Sequence, residues 1–593
     1  MSKWMVATKR ADFNAISQKF QISPVLARII RNRDVIEEQD IDKFLNGTRA
    51  QLYAPELLKD MEQATDLLLD KITEGKRIRV IGDYDIDGIC STYILYRGLC
   101  ECGAHVDTAI PHRIHDGYGL NDNLIQEASD DGTDTVVTCD NGIAAYAQIE
   151  LAISLGMTVI VTDHHEVPYE EIDGIRHYKI PMAAAVVDPK QEDCNYPFPE
   201  ICGAVVAYKL VLALLSKKNH CDWHDVMESE LGLELLEFAA FATIGDVMEL
   251  KDENRIIVKS GLALMKNTRN IGLKALMQVT QTDPSQVKPY TIGFVLGPCL
   301  NATGRLDTAV TALKLFQTKS YDEAVMLAGD LKALNDSRKE LTLKGVDEAI
   351  EQIEGSDIGK DKVLVVYLPE VHESLAGIIA GRIREKYYKP TFVLTKAEDG
   401  VKGSGRSIEA FHMYDEMTKC KELFTKYGGH KLAAGLSLPE ENVDTFRRTL
   451  NENCQLTEDD FEEKVLIDVP MPMDYASLEF VAELDRLEPF GNGNPKPQFA
   501  QKNVHFISGK VLGANRNVGK YRVEDDNGRK YELIYFGDLE GLNAYMAQKY
   551  GAKAVDRLYT EGTHDIELSV VYYPEKNEFR GNVSLQMVMK YYQ

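Results

Sequence analysis

Four apolar runs of strand length, each closing on acidic or imidazole side chains, dominate the first third of the chain. "KRIRVIGDYDIDG" starts at Lys76 and delivers Asp83, Asp85 and Asp87; "TDTVVTCDNG" delivers Asp140; "MTVIVTDHHEV" delivers Asp163, His164 and His165; "AAAVVDPK" delivers Asp188. Helix-forming stretches such as "STYILYRGLCECG" and "AAYAQIELAISLG" lie between them, and "HVDTAIPHR" reads as one further strand. Strands that alternate with crossover helices predict an α/β fold with a doubly wound parallel sheet, because a parallel neighbour is reached only by a long connection. Right-handed crossovers bring all the carboxyl ends to one edge, where open α/β sheets bind ligands. Four acidic strand ends therefore meet there, and Asp246 in "TIGDVMEL" follows an apolar helical run and adds a carboxylate.

Each motif alone is an ordinary turn former; the chemistry lies in the set. Asp83, Asp85, Asp87 and Gly88 satisfy the first half of a calcium loop, but the twelfth position is Ile94 and a strand leads in, so an EF-hand is excluded. So many carboxylates cannot stay ionised together without a metal's charge. Carboxylate and imidazole donors without thiolate suit manganese or magnesium rather than structural zinc. The expectation is a centre of two such ions that activates water and clamps a phosphoryl oxygen.

At 593 residues the chain is too long for one hydrophobic core. It divides into an N-terminal helical segment (1–48), the sheet domain (49–317), a proline-free connecting helix (318–358), a second α/β domain opened by "KVLVVYLP" (359–458), and a region of short strands (459–593) that suggests an OB-like barrel. The formal net charge of −26 argues against a surface that coats nucleic acid all over, though not against a local basic channel. The N-terminus lacks the apolar core of a secretory signal, and no apolar run approaches the ~20 residues of a membrane span. The cysteines are scattered, without a CxxC pair, so a reduced, cytoplasmic protein is expected.

"DYDIDG", "TCDNG", "TDHHE" and "GDVMEL" resemble, in order, the four motifs of the DHH phosphoesterase superfamily. "IPHRIHDGYGLN", "CGAVVAYKL", "IGFVLGPCLNATGRLDTA", "GSGRSIEAF", "GGHKLAAGLSL" and "LEPFGNGNPKPQF" extend the resemblance over nearly the whole chain, toward the single-strand-specific exonucleases of that superfamily. The resemblance implies a manganese-dependent hydrolase that removes 5′-mononucleotides from single-stranded DNA in the 5′→3′ direction, in repair and recombination. It implies that Asp85, Asp87, Asp140, His164 and Asp246 hold two metals with Asp140 bridging, that Asp83 joins or orients them, and that His165 acts on the scissile phosphate or the leaving oxygen.

By the same resemblance Arg113, Asn301 and Arg305 contact phosphate from the first domain. Ser404, Arg406, Gly428, Gly429, His430 and His372 do so from the second, where glycines let backbone N–H groups approach phosphate and Arg and His add charge-assisted bonds. The barrel is expected to bind single-stranded DNA through Lys510, Arg516, Lys520 and Arg522, with Tyr521 and Tyr535 as candidate stacking residues against the alternative that they are core. A helicase and a single-strand-binding protein are the implied partners, and a monomer the implied state. Two positions depart from the family pattern: Ile81 stands where a metal-ligating histidine is usual, and Cys299 where arginine is common. Shorter substrates, as in oligoribonucleases and cyclic-dinucleotide phosphodiesterases, are the alternative enzyme reading, disfavoured by the barrel. A non-catalytic single-strand-binding relative is the other.

Overall fold

The alternation of apolar runs builds β1 (Arg77–Ile81), β2 (His105–Ala109), β3 (Thr135–Cys139), β4 (Thr158–Thr162) and β5 (Ala185–Val187), all parallel, in the order β2-β1-β3-β4-β5. The structure, a computed structural model, describes residues 2–112, 119–306, 309–397, 400–513, 516–579 and 581–593. It divides into two compact units: Arg49–Met248 with Glu253–Glu462, and Met1–Thr48 with Glu249–Asp252 and Glu463–Gln593.

In the larger unit β1 leads into helix α1 (Ile86–Glu101), and the chain places β2 on one side of β1 and β3 on the other. Strand order thus reverses between β1 and β3, the place where doubly wound sheets open a ligand crevice. Ile81, Val136 and Val161 pack in one apolar cluster beneath the sheet. Helix α2 (Gly203–Asn219) follows β5, and helix α3 (Glu230–Gly245) ends with Asp246 as its C-cap. Helix α4 (Gly297–Leu306) precedes α5 (Tyr321–Glu354), a single helix of 34 residues where the sequence allowed one or two.

Helix α5 leads to a second sheet of β6 (Leu364–Tyr367), β7 (Thr391–Ala397), β8 (Gly400–Arg406), β9 (Lys426–Gly429) and β10 (Ala433–Leu438), in the order β9-β10-β8-β7-β6, with α6 (Ala376–Tyr387) between β6 and β7. Only β6 and β7 are parallel; the other pairs are antiparallel. The α/β alternation expected here stops after β7, because two residues between β7 and β8 are too few for a crossover.

In the smaller unit β11 (Phe499–Leu512), β12 (Val518–Glu524), β13 (Lys530–Tyr535), β14 (Ile566–Phe579) and β15 (Asn582–Tyr592) close into a barrel. Along β12 the residues alternate, so Lys520 and Arg522 face outward while Tyr521 joins the core. Tyr521 and Tyr535 are both buried, which removes them as stacking platforms and assigns them to the core alternative. Lys510, Arg516 and Arg522 are exposed, and Lys520 pairs with Glu532 at 3.0 Å.

The N-terminal helices, expected as a segment of their own, share the barrel's core: Leu26, Ile29 and Ile30 cluster with residues including Phe499 and Phe506. Lys3–Val6 also pairs in parallel with Lys464–Ile467. The buried Arg33 guanidinium forks onto Asp468, at 2.5 Å to Oδ1 and 3.1 Å to Oδ2, and Asp468 Oδ2 also accepts from the Gln498 N–H at 3.0 Å. Removing one partner leaves a buried charge uncompensated. Asp468→Ala is therefore expected to lower stability by about 3–5 kcal/mol, read by urea denaturation of the full chain, and Arg33→Met with Asp468→Leu to recover most of it. A loss below about 1 kcal/mol for the single variant, in the range of an exposed pair, would show that the fork contributes little. Among the described residues no helix is long and apolar enough to cross a membrane.

Candidate metal centre and substrate cleft

Beyond Ile81 the chain turns so tightly that Gly88 approaches the backbone of Asp83; a Cβ there would lie 2.6 Å from the Asp83 nitrogen. The turn separates the three aspartates into different tasks. Asp85 caps α1, its Oδ1 accepting from the N–H groups of Asp87 at 3.0 Å and Gly88 at 3.1 Å. Asp87 is held by the first two residues of α2: its Oδ2 accepts from the Gly203 N–H at 2.7 Å and its Oδ1 from the Ala204 N–H at 2.8 Å. A helix N-terminus favours a carboxylate at that place. Asp83 is buried; its Oδ1 accepts from the Gly119 N–H at 3.2 Å, and its Oδ2 has no hydrogen-bond partner among the described residues.

Asp140 follows β3 in the left-handed conformation, φ 60°. Gly203 lies against it, so close that a Cβ would fall 2.8 Å from the Asp140 Cβ. His164 Nε2 points into the carboxylates, 3.1 Å from Asp140 Oδ1, 3.4 Å from Asp87 Oδ2 and 3.9 Å from Asp246 Oδ2. His165 Nδ1 lies 2.7 Å from Asp163 Oδ1 and 3.9 Å from Asp140 Oδ1. Among the described residues two trios have ligand atoms within 4.8 Å of one another: Asp140, His164 and His165, and Asp87, His164 and Asp246. His164 is the member common to both trios.

The electrostatics are those of too much negative charge in too little water. Burial, then Asp85, pushes the Asp83 carboxyl up to about 7. Burial, then Asp87 and Asp85, pushes Asp246 up to about 8. Asp140 rises well above the carboxylate range through burial and then Asp87, Asp85 and Asp163. His165 goes the other way from a buried imidazole: burial is the largest single influence and disfavours its charge, but the hydrogen bond and charge of Asp163, with the charges of Asp87 and Asp246, together outweigh it and lift the ring to about 9. The donors are oxygen and imidazole only, the buried Oδ2 atoms of Asp83 and Asp188 have no protein donor among the described residues, and a cation would relieve the repulsion that keeps the acids protonated. This set fits a hard divalent ion such as manganese or magnesium.

A cleft of about 1030 Å³ joins this edge to the second sheet. Tyr84, from the aspartate loop, and Arg305, on α4, form one wall; Lys402, Ser404, Arg406, Lys426, Gly428 and His430 are among the residues of the other. The register explains the floor: Ser404 pairs with Gly435 and Gly435 with Gly428, so one face carries them in a row across three strands. The glycines of these motifs lie in strands β8 and β9, of which β9 is the edge strand of the sheet, and the faces of Gly428 and Gly435 carry no side chain. Arg406 donates to the Gly405 carbonyl at 2.7 Å and the Ser404 hydroxyl at 3.2 Å, not to a carboxylate. Burial, then Arg384, lowers its pKa, and an anion in the cleft would offset both effects.

The other expected contacts divide. Arg305 Nη1 donates to the Ser374 carbonyl at 2.5 Å. Asn301 stands one turn earlier on α4, its Oδ1 buried without a hydrogen-bond partner among the described residues. His372 caps the short turn Glu373–Leu375 through its side chain, while its neighbours Glu373 and Ser374 line the cleft. Gly429 and His430 line the cleft. Arg113 lies outside the described residues.

Three family models match along the chain: the DHH family N-terminal domain over residues 77–243, the DHHA1 domain over 360–456 and the RecJ OB domain over 467–591. The chain is 32% identical over 585 residues to the single-stranded-DNA-specific exonuclease RecJ of Escherichia coli (strain K12), with 96% of each protein covered. This chain belongs to the RecJ family. The RecJ of Bacillus subtilis (strain 168) is 34% identical over 530 residues, which take in 88% of this chain but 64% of that longer protein. A RecJ from Thermus thermophilus, solved in complex with Mn2+, superposes with a TM-score of 0.79 at 26% identity, covering all of this chain and 79% of that one. RecJ proteins are single-stranded-DNA-specific exonucleases, so the chemistry is phosphodiester hydrolysis.

Ile81 and Cys299, singled out in the sequence, find physical settings. Ile81 is fully buried in the apolar cluster under the sheet, and the acidic cage is assembled without it. Cys299 is buried too: its Sγ donates to the Val295 carbonyl at 3.3 Å and accepts from Asn335 at 3.5 Å. The residues that sequence reasoning missed are Asp163 as the partner of His165, and Gly203 and Ala204 as the donors to Asp87. "CGAVVAYKL" stood out as a motif, but nothing in its composition announced that its backbone, not its side chains, is the functional part.

Proposed function

We propose that the chain is a metal-dependent exonuclease that takes 5′-mononucleotides from single-stranded DNA in the 5′→3′ direction. The observation that carries this reading is the cleft with the aspartate loop in one wall and Arg406, Ser404 and the cleared glycine floor in the other. Ser404 and Arg406 would grip the terminal phosphate and set the next phosphodiester at the cage. Asp163 would keep His165 protonated and turned inward, so that His165 lends charge or a proton to the leaving oxygen. Two manganese or magnesium ions, held among Asp83, Asp85, Asp87, Asp140, His164 and Asp246, would supply the nucleophile from water at neutral pH and neutralise the phosphoryl oxygens. The barrel's exposed Lys510, Arg516 and Arg522 support binding of longer strands, which favours this reading over a dinucleotide hydrolase. Family likeness alone supports a cytoplasmic monomer that works in repair and recombination beside a helicase and a single-strand-binding protein.

The test uses end-labelled single-stranded, duplex and dinucleotide substrates with manganese or magnesium. Release of labelled mononucleotide from the 5′ end of single strands, and not from blunt duplex, is expected. Preference for dinucleotides, or release from the 3′ end first, would overturn the reading.

A further inference from the structure

Helix α4 continues backward through a π-helical turn, Ile292–Leu296, into a short helix, Pro289–Thr291. Along this rod Ile292, Leu296, Cys299, Leu300, Ala302 and Thr303 are buried. The stripe that runs Tyr290, Phe294, Pro298, Asn301, Arg305 is exposed at its first two members and half-buried along the rest. Its first spacings of four residues suit the wider π turn, and such turns often occur at functional sites. Its last member, Arg305, lines the cleft. Its first two are large aromatics exposed by 68% and 67%. Their rings stack on each other, centroids 4.9 Å apart and 23° between planes. Gly293, beside them, is exposed, and a Cβ there would meet nothing within 4 Å.

The rod is anchored at the metal centre. Gly297 packs so closely on Ile86 that a Cβ would lie 2.8 Å from its Cδ1, and Gly245, next to Asp246, abuts the same side chain. Ile86 stands between Asp85 and Asp87. At 1.5 Å per residue, Phe294 and Tyr290 lie about 16 Å and about 22 Å along the rod from Arg305. That is a few nucleotides away, on the same stripe.

We propose that Tyr290 and Phe294 form a base-stacking platform for the single strand on its way into the cleft. The proposal rests on the exonuclease reading and adds a subsite to it. A flat aromatic surface suits any base, which a sequence-tolerant exonuclease requires. It also suits a chain of net charge −26, whose long-range field does little to attract phosphate. The alternative stacking residues, Tyr521 and Tyr535, are buried.

The test compares wild type with Tyr290→Ala/Phe294→Ala, each checked by thermal melting. Fluorescence anisotropy in EDTA reads the affinity for a labelled oligodeoxynucleotide long enough to span the stripe, and for the same strand made abasic beyond its first two nucleotides. The double variant is expected to bind the base-bearing strand at least about fivefold more weakly and the abasic strand as wild type does. In manganese its KM for dinucleotides and its kcat stay unchanged, and Tyr290→Trp/Phe294→Tyr restores affinity. Equal affinity of wild type and double variant for the base-bearing strand overturns the platform. Equal losses on both strands also overturn it, since bases would then not be what the rings hold. If the contrast appears but wild type does not cut single strands, the exonuclease reading fails and the platform stands; if wild type cuts and the contrast is absent, the reverse holds.

Discussion

Asp140→Asn is expected to reduce metal-dependent hydrolysis by at least about a hundredfold, since even partners outside a metal's ligand set are worth 10–100-fold, and at the same time to make the metal-free protein harder to melt. Both effects have one cause. Asp140 lies within reach of both histidines of "DHH", and its charge is opposed by burial and by Asp87, Asp85 and Asp163. A neutral amide of the same shape removes repulsion while giving up a carboxylate ligand. Asparagine is the substitution to use, because it tolerates the left-handed backbone that alanine resists. Adding manganese at a hundred times its dissociation constant should stabilise wild type by about 2.7 kcal/mol and the variant far less. A variant that melts earlier than wild type without metal, or retains activity, would remove Asp140 from the cage.

The same charges set a pH dependence. Asp83, Asp188 and Asp246 have folded values raised to about 7, 7 and 8, so the native state holds protons that the unfolded chain releases near its ordinary carboxylate range. Native His165, raised to about 9, also holds its proton longer than the unfolded imidazole. Where the native state binds more protons, stability falls as pH rises. Metal-free protein should therefore lose melting temperature steadily from about pH 5 to about pH 9. Asp163, lowered by His165 despite its burial, works in the opposite sense in the acid range, and His164, lowered by its own burial, does so up to the ordinary imidazole range, where the four raised groups outweigh it. Bound manganese should flatten or invert the slope, because deprotonated ligands are what it binds. A melting temperature that rises over this range without metal would contradict the assignment.

The parallel sheet was legible because apolar runs and crossover helices leave few topologies open, and the cage followed from where such a sheet must put its strand ends. Asp83, Asp140 and His164 stand at those endings, and Asp246 at the end of an apolar helical run. What sequence could not show was which atom each acid spends on the protein itself. Asp85 and Asp87 look alike in "DYDIDG", yet one caps its own helix and the other is held by a helix that begins 116 residues later. The second sheet is hidden in the sequence for a related reason: the α/β alternation that opens at "KVLVVYLP" gives no sign of the antiparallel strands that follow it. "GSGRS" and "GGH" have the composition of loops, and glycine in a strand carries no periodicity to betray it. Only pairing across β8, β10 and β9 explains why small residues recur there. Tyr521 has the residue type of a stacking platform, and only the closed barrel decides that it points inward.

Those strand glycines make the second large prediction. Gly428→Val should leave the protein folded and as hard to melt as wild type, while lowering kcat/KM on single strands by about a hundredfold, the scale on which a small misplacement of substrate acts. The Gly428 Cβ position meets nothing within 4 Å and opens on the cleft opposite Gly435 and Ser404, and valine suits an extended backbone. The branched side chain would stand where the strand's phosphate and sugar must pass. Gly405, two residues from Gly403 on β8, is the control. Its Cβ would fall 2.5 Å from the Met413 Sδ and 2.7 Å from a Phe392 ring carbon, on the core side of the sheet. Gly405→Val should therefore lose about 1–3 kcal/mol or more of stability by overpacking, with activity falling in step with the folded fraction. Thermal melting and single-strand kinetics on both variants separate the cases. If Gly428→Val cuts as fast as wild type, the strand does not cross that face and the second wall of the cleft must be drawn elsewhere. If it melts early, the glycine is there for the sheet rather than for the substrate.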